Sequence, residues 1–177
     1  MKNKTVRMLP HPEYARFVIA RDMRDWDPCI IEADHVLCKA GIAKTLQKLV
    51  DREKMDAATR EAVLARITPV DGSASFAAAD LVIEAATEKE EIKRAIFADV
   101  SKVLREDAIL ASNTSSIPIT RMAQASPDPA RFIGIHFFNP VPVMGLIEVI
   151  PGLATSKATV EAVSRFCDTL KKEIVYA

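Results

Sequence analysis

The chain has 177 residues, of which 49% are hydrophobic and 27% are charged. These fractions are typical of a soluble globular protein, and the length suits one compact domain. Lysine plus arginine and aspartate plus glutamate both number 24, so no net field would attract nucleic acid or an acidic membrane surface. The sequence also lacks the roughly 18 consecutive apolar residues of a membrane span and the apolar core of a secretory signal. We expect neither nucleic acid nor a membrane as a partner.

The cysteines bear on the compartment and on metal binding. Cys29, Cys38 and Cys167 are odd in number, widely spaced and outside any Cys-x-x-Cys pattern. This distribution argues against a disulfide framework and against a zinc site. We therefore expect a cytoplasmic protein without a metal.

The first 41 residues follow no regular pattern. Trp26-Asp27-Pro28 interrupts any helix, and no glycine-rich turn follows the apolar run Phe17–Ala20. After this segment, apolar residues at helical spacing predict helices at 42–50 and 57–67. We therefore divide the chain into an atypical N-terminal segment, 1–41, and one remaining domain, 42–177.

From Asp80 onward, short apolar runs alternate with segments of helical period. The apolar runs predict strands at 81–83, 108–111, 132–135, 146–150 and 174–175. The intervening segments predict helices at 92–104, 120–124 and 157–170. Such alternation is the pattern of parallel strands joined by crossover helices. We expect an α/β fold with a doubly wound, mostly parallel sheet that is atypical or incomplete at its N-terminus.

Polar residues follow three of the predicted strands. They are the region around Glu88, the run Ser112-Asn113-Thr114-Ser115-Ser116, and His136 with Asn139. In an open parallel sheet, ligands bind beyond the carboxyl ends of the strands. These three positions are therefore the candidates for a functional site.

His136 is the strongest candidate for chemistry. A lone histidine in an apolar setting is more often a buried structural residue than a catalyst. His136, however, ends a predicted strand and precedes a proline-bounded loop, and Glu148 is the only charge of the next apolar run. A general base held in one tautomer by a carboxylate needs this arrangement. We predict that His136 transfers a proton and that Glu148 is its partner.

Structural explanations stay open for the other candidates. Glu148 can equally be an outward residue on a half-exposed strand. The polar run at 112–116 can serve only to cap the short helix that follows it. Glu88 precedes a helix whose positive N-terminus favours carboxylates whatever the function. Only the three-dimensional arrangement separates these explanations.

Three ordered motifs carry a family resemblance: Asp-Leu-Val-Ile-Glu-Ala-Ala at 80–86, Ala-Ser-Asn-Thr-Ser-Ser at 111–116 and His-Phe-Phe-Asn-Pro-Val-Pro-Val-Met at 136–144. Together they resemble the L-3-hydroxyacyl-CoA dehydrogenases, and most closely the bacterial 3-hydroxybutyryl-CoA dehydrogenases. The resemblance runs from about Ile42 to the last residue. It implies a Rossmann-like domain that oxidises short-chain L-3-hydroxyacyl-CoA to 3-oxoacyl-CoA in fatty acid or hydroxybutyrate metabolism, with NAD as the cofactor and an acyl-CoA as the substrate.

The resemblance also implies a role for each candidate residue. His136 takes the hydroxyl proton, Glu148 orients His136, Ser115 forms a hydrogen bond with the reacting oxygen, and Asn139 helps to shape the site. Contacts with the cofactor are implied for four further residues: Ala85, Glu88, Lys93 and Asn113.

Two departures from the family pattern keep a second function open. The family's first strand leads into a Gly-x-Gly-x-x-Gly turn that binds the pyrophosphate, whereas the five glycines of this sequence, at 41, 72, 134, 145 and 152, lie too far apart to form it. An all-helical domain with dimer contacts normally follows, and this sequence stops at Ala177 before it. The alternative to a dehydrogenase is therefore a truncated, non-enzymatic remnant or an interaction module without independent NAD binding. A homo-oligomer also stays open, without the helical domain that makes the family's dimer.

Overall fold

The computed structural model describes residues 6–8, 17–20, 38–69, 73–139, 141 and 144–177. The strands of this part of the chain are β1 (Val6–Met8), β2 (Phe17–Ala20), β3 (Ile67–Pro69), β4 (Leu81–Glu84), β5 (Ile109–Ser112), β6 (Phe132–Phe137), β7 (Leu146–Pro151) and β8 (Glu173–Tyr176). Its α-helices are α1 (Cys38–Asp51), α2 (Ala57–Ala65), α3 (Glu90–Val100), α4 (Ile119–Met122) and α5 (Lys157–Asp168). The predicted interruption at Trp26-Asp27-Pro28 lies outside the described residues.

Six strands form the main sheet, in the order β2-β4-β5-β6-β7-β8. The ladders β4–β5, β5–β6 and β7–β8 are parallel, and the ladders β2–β4 and β6–β7 are antiparallel. Every residue of β4 and β5 is buried, because helices cover both faces of the sheet. Strands of this kind appear as continuous apolar runs in a sequence. The predicted doubly wound, mostly parallel α/β fold is confirmed.

The helices divide between the two faces of the sheet. Leu81 and Ile83 of β4 point to one face, where they join a core cluster with residues of α1, α2 and α5. Val82 points to the other face and joins a cluster with residues of α3 and α4. This alternation is the two-residue period of a strand. It gives a three-layer arrangement with the sheet in the middle.

β7 begins at Leu146, soon after β6 ends at Phe137. A connection this short cannot hold a crossover helix of the usual dozen or so residues, so the chain returns beside the strand it has just left and the two strands run in opposite directions. The register pairs Ile135 with Val149 and His136 with Glu148. The two residues predicted as a catalytic pair therefore lie directly opposite each other.

The prediction of a helix through Ile67 is wrong at its end. α2 stops at Ala65, the Arg66 N–H donates to the Val63 carbonyl at 3.1 Å, and Ile67 begins β3. Ile67 is only 2% exposed and belongs to the core cluster of its face. A β-branched residue that is buried at the end of a short helix gains more from the extended conformation.

The two N-terminal strands lie in the region for which the sequence predicts no regular structure. β1 pairs with β3 in a separate parallel ladder, and β2 pairs with β4 in the main sheet.

Within the described ranges, no helix combines the length and the hydropathy that crossing a membrane requires.

Candidate active site

The parallel strands β4, β5 and β6 deliver three polar loops to one side of the sheet. Glu84, which ends β4, pairs with Ser112, which ends β5, and Ser112 pairs with Gly134 of β6. Because the strands run in the same direction, the residues that follow them emerge together. We call this side the carboxyl edge and define it by residues 85–89, 113–117 and 136–139.

His136 and Glu148 form a hydrogen-bonded pair at the carboxyl edge. Nδ1 of His136 lies 2.7 Å from Oε2 of Glu148. An ionised carboxylate only accepts hydrogen bonds, so Nδ1 carries the hydrogen, and in the neutral imidazole the lone pair is then on Nε2. The side chains are 16% and 30% exposed respectively. The imidazole is thus held in one tautomer and remains within reach of a ligand.

Phe138 packs against the imidazole ring. The two ring centroids are 4.7 Å apart, and the ring planes are inclined by 52°. This contact and the hydrogen bond to Glu148 restrain the His136 ring from two directions. The second phenylalanine of the motif, Phe138, therefore helps to orient the imidazole.

Asn113 connects the loop after β5 to the strand that carries His136. The backbone N–H of Phe137 donates to Oδ1 of Asn113 at 2.7 Å. The backbone N–H of Asn113 donates in turn to the carbonyl of Glu84 at 2.7 Å. Asn113 is therefore held between the end of β4 and the residue next to His136.

Glu84 and Lys93 form a buried ion pair just beneath these loops. Their relative exposures are 0% and 1%, and Nζ of Lys93 lies 3.0 and 2.8 Å from the two carboxylate oxygens. The family resemblance implies a contact between Lys93 and the cofactor, whereas its ammonium here is turned into the interior toward Glu84. Glu84 is not among the predicted site residues, although a carboxylate at the end of an apolar strand is a visible signal.

A second set of hydrogen bonds joins the loop after β4 to the loop after β5. Oγ1 of Thr114 donates to Oε2 of Glu88 at 2.6 Å and accepts from the Ile117 N–H at 3.1 Å. The alternative that the polar run caps the next helix does not hold for α4, because its N-cap is Pro118 and that residue makes no side-chain cap bond. Thr114 instead closes the turn before α4.

The remaining predicted site residues also lie at the carboxyl edge. Ala85 directly follows β4, while Ser115 and Asn139 are exposed in the loops after β5 and β6. The structure thus brings the predicted catalytic and cofactor-binding residues to one side of the sheet, apart from the inward-turned ammonium of Lys93.

Lys172 is not among the predicted site residues, yet it restrains a loop beside the site. Its Nζ donates to the carbonyl of Val141 at 2.7 Å and also to the carbonyl of Met144. These bonds attach the loop between β6 and β7, which begins just after His136, to the turn before β8. No local pattern marks this lysine, since its role depends on two carbonyls that are distant in sequence.

The opposite side of the sheet carries charges that neutralise one another. A cleft of about 500 Å³ there is lined by residues that include Asp80, Arg105 and Asp107. Arg105 lies 2.9 Å from Asp80 and 2.8 Å from Asp107. The hydrogen bond from Arg105 lowers the pKa of Asp107, and the same bond raises the pKa of Arg105. Arg105 and Asp107 are therefore held in their charged forms, which does not suit them for proton transfer near neutral pH.

The fit of a dinucleotide to the carboxyl edge is partial. The loops after β4 and β5 suit the part of a cofactor that lies beside the reacting atoms. Pyrophosphate binding needs a strand that ends at this edge and a helix that begins there. β2, however, pairs Phe17 with Glu84 and Ala20 with Leu81, so it starts at the carboxyl edge and runs away from it. Among the described residues beside β4, no strand, turn and helix unit offers that cradle.

Comparison with known proteins agrees with this geometry. Residues 30–177 match the family model described as 3-hydroxyacyl-CoA dehydrogenase, NAD binding domain. A 3-hydroxybutyryl-CoA dehydrogenase of Bradyrhizobium diazoefficiens is 46% identical over 147 residues, which cover 81% of this chain and 50% of that protein. A 3-hydroxyadipyl-CoA dehydrogenase of Escherichia coli is 49% identical over 68% of this chain and 26% of that protein.

The solved structures give the same result. The crystal structure of (S)-3-hydroxybutyryl-CoA dehydrogenase from Ralstonia eutropha matches with a TM-score of 0.75 and 43% identity, over 77% of this chain and 48% of that one. The chain spans half the length of the relative from Bradyrhizobium and about a quarter of the relative from Escherichia coli. The family match begins at residue 30, and the division at residues 41 and 42 stays a prediction. The match covers most of the chain, which therefore belongs to the NAD-binding domain family of the 3-hydroxyacyl-CoA dehydrogenases.

Proposed function

We propose that this domain oxidises the 3-hydroxyl of short-chain L-3-hydroxyacyl-CoA to a ketone, with NAD as the hydride acceptor. The observation that carries the proposal is the 2.7 Å hydrogen bond between His136 Nδ1 and Glu148 Oε2 at the carboxyl edge. Relatives named as 3-hydroxybutyryl-CoA dehydrogenases support the substrate class. An acyl-CoA is accordingly the partner that we propose.

His136 acts as the general base. Its Nε2 lone pair takes the proton of the 3-hydroxyl as the C3–H bond breaks and the C3–O bond becomes a carbonyl. NAD, when bound, supplies the acceptor for the hydride that leaves C3. The proton thus ends on the imidazole, and the electron pair of the C3–H bond leaves with the hydride. In the reverse direction the imidazolium returns the proton to the oxygen.

Glu148 stabilises the charge that His136 acquires. Its carboxylate accepts from Nδ1 before the reaction, and it faces a full positive charge once Nε2 is protonated. A hydrogen bond to an ionised group is stronger than one between neutral groups. Glu148 therefore favours the protonated product of the base as well as its orientation.

Ser115 and Asn139 supply the remaining polar contacts of the proposed site. Both are exposed at the carboxyl edge, where a hydroxyl donor suits the reacting oxygen and an amide suits the bound acyl group. Ala85, Glu88 and Asn113 would contact the cofactor from the loops after β4 and β5. Each of these roles is a proposal that rests on position at the carboxyl edge and on family membership.

A homo-oligomer and a cytoplasmic location complete the proposal. The free, buried thiol of Cys167 is consistent with a reducing compartment. Sedimentation measured across a range of protein concentrations tests for self-association, and a mass that stays at one chain throughout would exclude it.

The formation of NADH from NAD and 3-hydroxybutyryl-CoA tests the proposed activity. We expect measurable turnover at high enzyme concentration and its loss in the His136→Gln variant. The matched control is Lys102→Met, which removes an exposed ion pair with Asp99 far from the carboxyl edge. No NADH from the wild-type chain, or equal turnover in the His136→Gln variant, would contradict the proposal.

A second candidate function is a domain that keeps the catalytic residues but does not hold the cofactor, as a non-enzymatic remnant or an interaction module. The direction of β2 favours it, because the strand beside β4 does not end at the carboxyl edge. Calorimetry distinguishes the two functions. NAD binding with a dissociation constant in the micromolar range supports the dehydrogenase, and no heat of binding at millimolar NAD supports the alternative.

A further inference from the structure

One buried pair of charged residues takes part in no step of the proposed reaction. Glu84 and Lys93 are 0% and 1% exposed and lie within hydrogen-bond distance of each other. Removing water from two ions is costly, and apolar side chains of similar volume often stabilise a core as well as such a pair does. Stability alone is therefore a weak reason for these charges.

The hydrogen bonds of the Glu84 carboxylate lead to both loops of the carboxyl edge. Oε1 accepts from the Ala86 N–H at 2.6 Å, and Oε2 accepts from Oγ of Ser112 at 2.9 Å. Ala86 belongs to the loop after β4, and Ser112 immediately precedes Asn113. One carboxylate thus restrains the start of the loop after β4 and the end of β5.

The same residue reaches the base through its backbone. The carbonyl of Glu84 accepts from the Asn113 N–H, and Oδ1 of Asn113 accepts from the Phe137 N–H, each at 2.7 Å. Phe137 is the neighbour of His136. A continuous series of short contacts therefore runs from Lys93 on α3, through Glu84 and Asn113, to the strand that carries the base.

We propose that Glu84 and Lys93 are positioning residues that set the loops after β4 and β5 and, through Asn113, the placement of His136 relative to the cofactor. Lys93 acts through Glu84, with which its buried ammonium forms the ion pair. The inference deepens the proposed function, and its statement about the cofactor rests on that function. Its statement about the placement of the loops and of His136 concerns the cofactor-free protein and does not depend on the proposed function.

A double-mutant cycle on NADH affinity separates positioning from direct contact. If Lys93 touches the cofactor, Lys93→Met weakens binding whereas Glu84→Gln leaves the ammonium free to bind. If the pair positions the loops, each single variant raises the dissociation constant of NADH about tenfold, which is the size expected of coupled neighbours. The double variant Glu84→Gln/Lys93→Met then has a dissociation constant no higher than that of Lys93→Met. Additive losses, or a loss confined to Lys93→Met, would overturn the proposal.

Nuclear magnetic resonance of the cofactor-free protein reports the placement of the loops and of His136. Its chemical shifts do not depend on catalytic activity or on the free energy of unfolding. We expect Lys93→Met to shift the amide resonances of Ala86, Asn113 and Phe137 and the imidazole nitrogens of His136. The control Lys102→Met carries the same charge change on an exposed pair and leaves these resonances in place. Shifts restricted to the neighbours of residue 93 would overturn the proposal.

The choice of variants also distinguishes a variant that does not fold from a proposal that is wrong. Lys93→Met leaves an unpaired buried carboxylate, so its thermal unfolding is measured first. If it does not fold, Glu84→Gln/Lys93→Met, which buries no charge at these positions, replaces it in the resonance experiment with the same expected shifts at Phe137 and His136. If the wild-type chain binds no NADH, the proposed function fails, and the resonance shifts still decide whether the pair positions His136.

Discussion

Two antiparallel strands flank the parallel centre of the main sheet, and their consequences are opposite. On one side, β7 runs antiparallel to β6 and so places Glu148 directly opposite His136. On the other side, β2 runs antiparallel to β4, so it starts at the carboxyl edge and runs away from it. A turn that binds pyrophosphate would instead need a strand that ends at this edge. The same reversal of strand direction brings a histidine and a carboxylate together at one flank. At the other flank, the described strand beside β4 does not end where a pyrophosphate would bind. Strand direction, and not only strand position, decides what an edge of the sheet can do.

The largest expected effect is that of His136→Gln on the β6–β7 side. Loss of a general base typically lowers turnover roughly 100- to 10,000-fold. Because we propose that His136 acts on the substrate hydroxyl, we expect kcat to fall. The dissociation constant of NADH should change by no more than about twofold, which is well below the tenfold change that 1.4 kcal/mol produces. Steady-state kinetics and calorimetry on the same preparations measure both quantities. An unchanged kcat would show that the proton has another acceptor.

Glu148→Gln tests the partner across the ladder and should have a smaller effect. The glutamine amide can still accept from Nδ1 but does not carry the charge that stabilises an imidazolium. A hydrogen bond to a charged group contributes about 1.5–3 kcal/mol, which corresponds to a kcat lower by about 10- to 140-fold at 1.4 kcal/mol per tenfold. Imidazole nitrogen shifts report whether Nδ1 keeps the hydrogen. A loss as large as that of His136→Gln would instead point to a displaced ring.

Gly134→Ala probes the packing that brings β6 to its place. A Cβ at residue 134 would lie 2.8 Å from Cβ of Ile150 and 2.9 Å from two side-chain carbons of Ile119. Such overpacking of a core typically costs about 1–3 kcal/mol, measured as the free energy of unfolding in denaturant. Gly145→Ala is the matched control, since an added Cβ there meets nothing within 4 Å. Equal stability of the two variants would contradict the close approach of β6, β7 and α4.

The smallest effect is expected in the N-terminal half, at the cap of α2. The carboxylate of Asp56 accepts from Oγ1 and N–H of Thr59, at 2.6 and 2.7 Å, and these bonds lower the pKa of Asp56. Its contribution to stability is therefore fully present above the ordinary carboxyl pKa and is lost as the pH falls through the lower, folded-state value. Asp56→Asn keeps a good cap and removes this pH dependence.

Unfolding curves at neutral pH and in the acid range measure the effect at Asp56. We expect nearly equal stability of the two proteins at neutral pH and a flatter acid dependence in the variant. A variant whose stability falls with acid as steeply as that of the wild type would show that Asp56 contributes nothing to the pH dependence.

Sequence patterns could predict the part of the fold in which local signals are strong. The apolar runs of β4 to β7 and the apolar stripe of α3 are recognisable from their periods. The opposition of His136 and Glu148 follows from one histidine at a strand end and one charge in the next apolar strand. What the sequence predicted of the site was thus mainly what lies on consecutive elements.

Features that depend on distant partners could not be predicted. Ile67 continues the helical spacing of α2, yet its burial in the core draws it into β3. The partner of Lys93 is Glu84, which lies at the end of another element, and the position of Lys93 on a helix gives no sign of it. The antiparallel direction of β2 leaves no mark in its four apolar residues, because an apolar run of this length has the same pattern in a parallel and in an antiparallel strand.

Transfer of isotope from substrate to cofactor tests the central proposal most directly. 3-Hydroxybutyryl-CoA carrying deuterium at C3 is incubated with NAD and the chain, and the reduced cofactor is analysed by mass spectrometry. If the carboxyl edge holds both molecules and His136 takes the proton, the deuterium appears in NADH with the wild-type chain and is almost absent with His136→Gln. Unlabelled cofactor from the wild-type chain, or equal labelling in both proteins, would contradict it.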